Sequence, residues 1–289
     1  MDFTKAALLL FICLLTGCAA AKEPAGQAAE PVRSVTSRCE LTDAAADMLM
    51  HTDPRMTAAV PAALYDAADG IIRDAKRRSV LAGTMLDAVS WERSGRLLTV
   101  SAAYTDAPEA VRRKKQILSE TAAAWAESVS AFPPAVRVLL AHERLCGACA
   151  YSETAPDCGS AYGALIRGAA RCSGFAEAFA LLLEAADVPV CIVTGTDPDG
   201  TAHAWNLVTL AGSRYHVDCT WDCTADDPHT YFLRDDCFMR RTHCWEQNAF
   251  PAADGGALRY ETIVQQMRDA VSPPSADKTC RRASASGPR

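Results

Sequence analysis

The stretch from Ala169 to Asp222 constrains the architecture of this chain more than any other. It opens with a thiol, Cys172, set among small residues. An apolar segment follows at once, with Phe175, Phe179 and Leu182 at the i, i+4, i+7 spacing of a helix that buries one face. Asp187 and Pro189 end that helix. VCIVTGT is β-branched and apolar, as a buried strand is, and DPDG carries turn chemistry. HAWNLVTL and RYHVDCTW read as two more strands, joined through AGS as a hairpin. A helix laid on an antiparallel sheet, an α+β arrangement, is the expectation.

The chemistry follows from that order. A cysteine at a helix N-terminus feels the partial positive charge of unsatisfied backbone N–H groups, which favours thiolate over thiol. The small neighbours Ser173 and Gly174 are expected to let a substrate carbonyl approach. His203 opens the first hairpin strand and Asp218 lies near the end of the second, with the turn near Ala211 and Gly212. The two are then expected opposite each other across the ladder, the carboxylate orienting the imidazole. With the helix start facing the hairpin, Cys172, His203 and Asp218 become nucleophile, base and orienting acid.

These residues carry a resemblance. ARCSGFAEAFALLLEAADVPVCIVTGT, HAWNLVTL and RYHVDCTWD look like the core of the transglutaminase-like superfamily, a branch of the papain-like fold. The resemblance runs from about Val136 to Pro251. It implies a papain-like, transglutaminase-type core acting without metal or organic cofactor, on peptide or glutamine-type amide bonds through a thioester, with hydrolysis slightly favoured over transamidation. Carried over residue by residue, it gives the nucleophile as Cys172, the base as His203 and the acid as Asp218.

Other residues compete for attention. His216 shares a strand with Asp218 and is a rival base, while Asp222 is a rival acid. Tyr162 or Trp205 could supply a second oxyanion donor beside the Cys172 N–H, although each reads first as a packed aromatic. His142, His229 and His243 read as solvated or hydrogen-bonded, without a chemical role. CGAC, from Cys146 to Cys149, has redox spacing but ends a helix, so a disulfide or simple packing is the first reading. Cys219, Cys223, Cys237 and Cys244, with His243, could ligate zinc, yet they lack paired C-x-x-C knuckles, and disulfides near the site are the default.

The ends read separately. After Lys5 an apolar run of about a dozen residues is too short to span a bilayer and right for a signal peptide. It closes on LTGC, which resembles a bacterial lipobox with Cys18 as the lipidated residue. The expected organisation is a signal peptide at 1–17, a flexible tether at 18–38, a helical extension at 39–90, the transglutaminase-like domain at 91–270 and a disordered tail at 271–289. The mature protein is then lipid-anchored on the extracytoplasmic face of the cell membrane. Removing 1–17 takes away Asp2 and Lys5 and leaves the net charge at −6. A mildly acidic chain with no basic block argues against nucleic acid as a partner. A peptide or protein substrate, possibly cell-wall linked, fits better. Of the 13 cysteines, setting aside Cys13 and Cys18 leaves an odd number, compatible with one free thiol. A non-catalytic peptide or cell-wall binding module on the same fold is the alternative.

Overall fold

The computed structural model describes residues 32–271. The expected signal peptide, Cys18 with most of the tether, and all but the first residue of the expected tail lie outside the described residues.

Residues 33–104 build a small α+β unit. Strand β1 (Arg33–Ser34) leads into α1 (Arg38–His51), followed by β2 (Arg55–Ala59), α2 (Ala68–Lys76), the short α3 (Val80–Gly83), β3 (Leu86–Ser94) and β4 (Leu97–Tyr104). The sheet runs in the order β1-β2-β4-β3. Leu41, Leu49, Met56, Ala58, Ile71, Leu98 and Val100 fill a core separate from that of the main domain. The segment 39–90 is therefore not purely helical. In β2 only Met56 and Ala58 face inward, and alanine is too weakly apolar for its two-residue period to register in an alanine-rich sequence. The strand over Leu97–Tyr104 pairs with β2 and β3, so it belongs to this unit's sheet and not to the sheet that carries the hairpin.

The main body begins with two long helices that prolines open, α4 (Pro108–Val129) and α5 (Pro134–Ala148). A loop carrying β5 (Ala150–Tyr151), a π-helical turn (Gly163–Arg167) and β6 (Ala169–Ala170) leads to α6 (Cys172–Ala185). Then come β7 (Val190–Thr196), β8 (Ala202–Leu210), β9 (Ser213–Val217), the single-turn α7 (Cys219–Asp222) and α8 (Asp236–Met239). Strand β10 (Cys244–Trp245) and α9 (Tyr260–Val271) complete the order. The second sheet is antiparallel, β10-β7-β8-β9.

Helix α6 is buried nearly all round, not along one face. Phe175, Ala178, Phe179, Leu182 and Leu183 are each at most 1% exposed, because the helix packs on β7 and β8 while α4 and α5 also pack against it. An all-apolar helix is stable only at the centre of its domain. Asn206 fixes its position on the sheet, donating from Nδ2 to the Ala176 carbonyl at 2.9 Å in the buried interface.

The β8–β9 hairpin closes as expected. Leu210 pairs with Ser213, and both turn residues, Ala211 (φ 51) and Gly212 (φ 85), are left-handed, the conformation that matches the strand twist. Strand β9, however, stops at Val217, and CTWD forms a helical turn, not a continued strand.

Candidate active site

Cys172 is the first residue of α6, half-buried, and no side chain caps that helix. Its first-turn N–H groups keep their positive character. Gly174 is buried because a Cβ there would lie 2.5 Å from the Cys158 carbonyl and 2.9 Å from that of Ser160. The Ser173 hydroxyl donates to the Gly159 carbonyl at 3.1 Å. The small residues beside the thiol thus seat the helix start against the 158–160 loop.

His203 and Asp218 meet, but not as cross-strand partners. The register pairs Asn206 with Val217 and Leu207 with His216, whereas His203 pairs with Gly195 of β7. Asp218 lies just past the end of β9 as the N-cap of α7. Its Oδ1 accepts from the Thr220 and Trp221 N–H groups at 3.0 and 3.2 Å. The cap holds the carboxylate still, and Oδ2 accepts from His203 Nε2 at 2.7 Å. That contact leaves Nδ1 as the imidazole nitrogen for the thiol, and His203 and Cys172 act electrostatically on each other.

The electrostatics follow from this chain. Burial alone would raise the Cys172 thiol, but the hydrogen bond and charge of His203, with the Ala204 and Ser173 N–H groups, prevail and hold it below its ordinary value. Burial pulls His203 down, while Asp218 and Cys172 more than offset it, pushing the imidazole up to about 9. Burial would raise Asp218 too, and His203 and His243 hold it below the usual carboxylate value. All three shifts favour a thiolate–imidazolium pair backed by an ionised carboxylate.

The sequence reading missed His243. It is 1% exposed, not solvated, and its Nε2 lies 3.0 Å from the same Asp218 oxygen that His203 uses. The Trp221 ring covers both imidazoles, with centroids 5.3 Å from His203 and 4.3 Å from His243. Nothing in THCWEQ announces this, since a histidine in a loop carries no periodic signal.

The rival assignments find other partners. His216 accepts from Trp205 Nε1 at 2.9 Å and contacts Asp236 through Nε2 at 2.9 Å, so both of its nitrogens are engaged away from the thiol. Trp205 is 1% exposed and its indole N–H is taken by His216, which makes it a packed aromatic. Tyr162 lies within cation–π reach of Lys114 and Arg167. Asp222 pairs with His142 at 3.0 Å and accepts from the Tyr231 N–H at 2.7 Å.

Cys146 forms a disulfide with Cys223, tying α5 to the end of α7. CGAC is therefore not a redox pair, since Cys149 is a buried free thiol that burial pushes up to about 11. Cys219 is buried, while Cys237 and Cys244 are exposed. Among the described residues, no cluster of converging metal-ligand atoms includes a cysteine.

A polar cleft of about 550 Å³ borders the thiol-bearing helix, lined by Arg171, Cys158, Gly159, Lys114, Asp157 and Glu177 among others. It ends on Arg171, the residue before Cys172.

Residues 111–221 match the sequence profile of the transglutaminase-like superfamily. That span contains Cys172, His203 and Asp218. Among curated proteins none matches the chain. Among the solved structures similar to the chain are three at low identity. One is described as a TGase (13% identity, 58% of this chain and 51% of that one, TM-score 0.29). Another is a candidate cysteine protease from Cytophaga hutchinsonii (14%, 46% and 61%, TM-score 0.32). A third is a candidate protease from Parabacteroides distasonis (11%, 61% and 40%, TM-score 0.29). The chain spans between 40% and 61% of those proteins' own length.

Proposed function

We propose, from the match of residues 111–221 to the transglutaminase-like superfamily, that the chain is a thiol acyl-transfer enzyme with Cys172 as nucleophile, His203 as acid–base and Asp218 as orienting acid. The observation that carries the reading is the 2.7 Å contact between His203 Nε2 and Asp218 Oδ2, with the same imidazole acting on Cys172 so that its thiol is held below its ordinary value. The thiolate adds to the carbonyl carbon of a peptide or glutamine-type amide. The oxygen takes up the negative charge beside the first-turn N–H groups of α6, where positive partial charge concentrates. As the tetrahedral adduct collapses, His203 gives its proton to the departing nitrogen, and a thioester to Cys172 remains with an amine or ammonia released. Water activated by His203 then cleaves the thioester, returning the thiol and a carboxylic acid. An amine in place of water would give transamidation. Hydrolysis is slightly favoured over transamidation, with peptide or protein as substrate.

The LTGC pattern at Cys18 supports the further reading that the enzyme works outside the cytoplasm, held at the membrane surface by acyl chains. Among the described residues, no helix is long and apolar enough to cross a membrane.

Trapping the intermediate tests the chemistry. Brief incubation with a glutamine-containing peptide, followed by intact-mass analysis, is expected to give a hydroxylamine-sensitive adduct on wild type and none on Cys172→Ala. Peptide that binds without adduct or product would replace the enzyme by a binding module.

A further inference from the structure

A second cluster of chemistry-bearing side chains lies on the far side of α7 from Asp218, and nothing in the proposed reaction uses it. His142 sits on α5 with its side chain fully buried. Its Nε2 faces Asp222 Oδ2 at 3.0 Å, and that carboxylate is fully buried too. The other nitrogen, Nδ1, is buried with no hydrogen-bond partner. An orphaned polar atom of this kind is rare in a well-packed protein. It faces Glu143 Oε1 at 3.8 Å, and the same oxygen contacts His229 Nε2 at 2.6 Å. These three atoms converge within 4.8 Å of one another.

We infer that His142 Nδ1, Glu143 and His229 Nε2 form a binding site for a divalent transition-metal ion of the zinc type. Two imidazoles and one carboxylate suit zinc and its neighbours, whereas calcium and magnesium require oxygen sets. The Asp222 contact is the outer partner that metal-bound histidines need. A carboxylate on the remote nitrogen fixes the tautomer that presents the Nδ1 lone pair, and it orients the ring. The ion replaces the proton shared between His229 and Glu143. Glu143 is exposed and His229 only half-buried, so the site opens to solvent, and water completes the coordination. The shell behind it is aromatic, with Phe232 edge-on to His142 at 5.0 Å and Tyr260 of α9 on His229 at 3.9 Å.

The site's consequence is mechanical. Asp218 caps α7 at one end, and Asp222 closes the other, beside the Cys146–Cys223 disulfide. An ion on His142 thereby fastens α5 and the 224–230 loop around the turn that presents Asp218. This inference does not depend on the acyl-transfer reading.

The test uses the full-length chain, stripped with chelator and titrated with zinc chloride, with cobalt chloride as a spectroscopic probe. One equivalent of zinc is expected to bind and raise Tm, and cobalt is expected to give an absorption band without thiolate character. Both His229→Ala and Glu143→Gln alter solvent-reachable residues and should keep the fold. Each is expected to weaken binding on the order of 100-fold, and Asp222→Asn about 10–100-fold. His243→Ala removes the buried histidine of the other cluster and is expected to leave zinc affinity unchanged. Failure to bind, binding unaffected by His229→Ala and Glu143→Gln, or loss on His243→Ala instead would each overturn the assignment.

Discussion

His243 binds the same oxygen of Asp218 as His203 does, Oδ2, at 3.0 Å against 2.7 Å. With Oδ1 capping α7 through two N–H groups, the carboxylate accepts four hydrogen bonds while fully buried. An anion so placed is held ionised by hydrogen bonding, because burial alone would protonate it.

His243→Ala removes one of those donors. The variant is expected to lose about 1–3 kcal/mol of stability, the usual cost of leaving a buried polar group short of a partner. Its acyl-transfer rate should fall, and the acidic limb of its pH–rate profile should move upward as Asp218 becomes easier to protonate. A profile that keeps the wild-type midpoint while only Tm drops would confine His243 to packing.

Gly174→Ala tests the seating of the thiol-bearing helix. A Cβ there meets two backbone carbonyls of the 158–160 loop, which cannot move aside as a side-chain tip can. Expected is a lower Tm by circular dichroism, with activity falling further than stability because Cys172 shifts relative to His203. Wild-type Tm and rate would mean that the loop yields freely.

Burial raises Glu177 to about 7, even though Thr84 Oγ1 and the Ala161 N–H donate to it. Its folded form therefore keeps a proton that the unfolded chain releases near 4.5. Stability from this group is fully present below about pH 4.5 and is lost as pH rises to about 7. Relative to wild type, Glu177→Gln should gain up to about 3 kcal/mol between pH 4.5 and 8. Denaturant melts of both proteins across that range check it, and parallel curves would remove Glu177 as the source.

What the sequence made legible is the part governed by local rules. The helix behind Cys172, the strands β7 to β9 and the two-residue turn at Ala211 and Gly212 each follow from periodicity or turn chemistry. His203 and Asp218 also meet, although not as the cross-strand pair expected from the hairpin. Asp218 reaches His203 as a helix cap, and whether Cys219 continues the strand or begins a turn is decided by hydrogen bonds the sequence does not display. The strand at Leu97–Tyr104 showed its alternation through Leu98, Val100 and Ala102, but β2 escaped because Ala58 and its neighbours blur a period of two. His243 and the Cys146–Cys223 pairing join residues 25 and 77 positions apart, and no local pattern encodes such a distance.

Cys18→Ser tests the anchor. The variant is expected to leave the membrane fraction or to accumulate as unprocessed precursor. Wild-type processing and membrane retention in fractionated cells would contradict lipidation at this position.

The ionisation of Cys172 is the property on which acyl transfer depends most directly. Alkylation by iodoacetamide, followed at that residue by peptide mass spectrometry from pH 4 to 10, reports the thiolate fraction. Wild type is expected to titrate well below the free-cysteine value of about 8.5. In His203→Ala the midpoint should move upward, so that the rate falls far more at pH 6 than at pH 9. A Cys172 that alkylates like an unfolded-chain thiol, with or without His203, would contradict the thiolate–imidazolium pair and the acyl-transfer reading built on it.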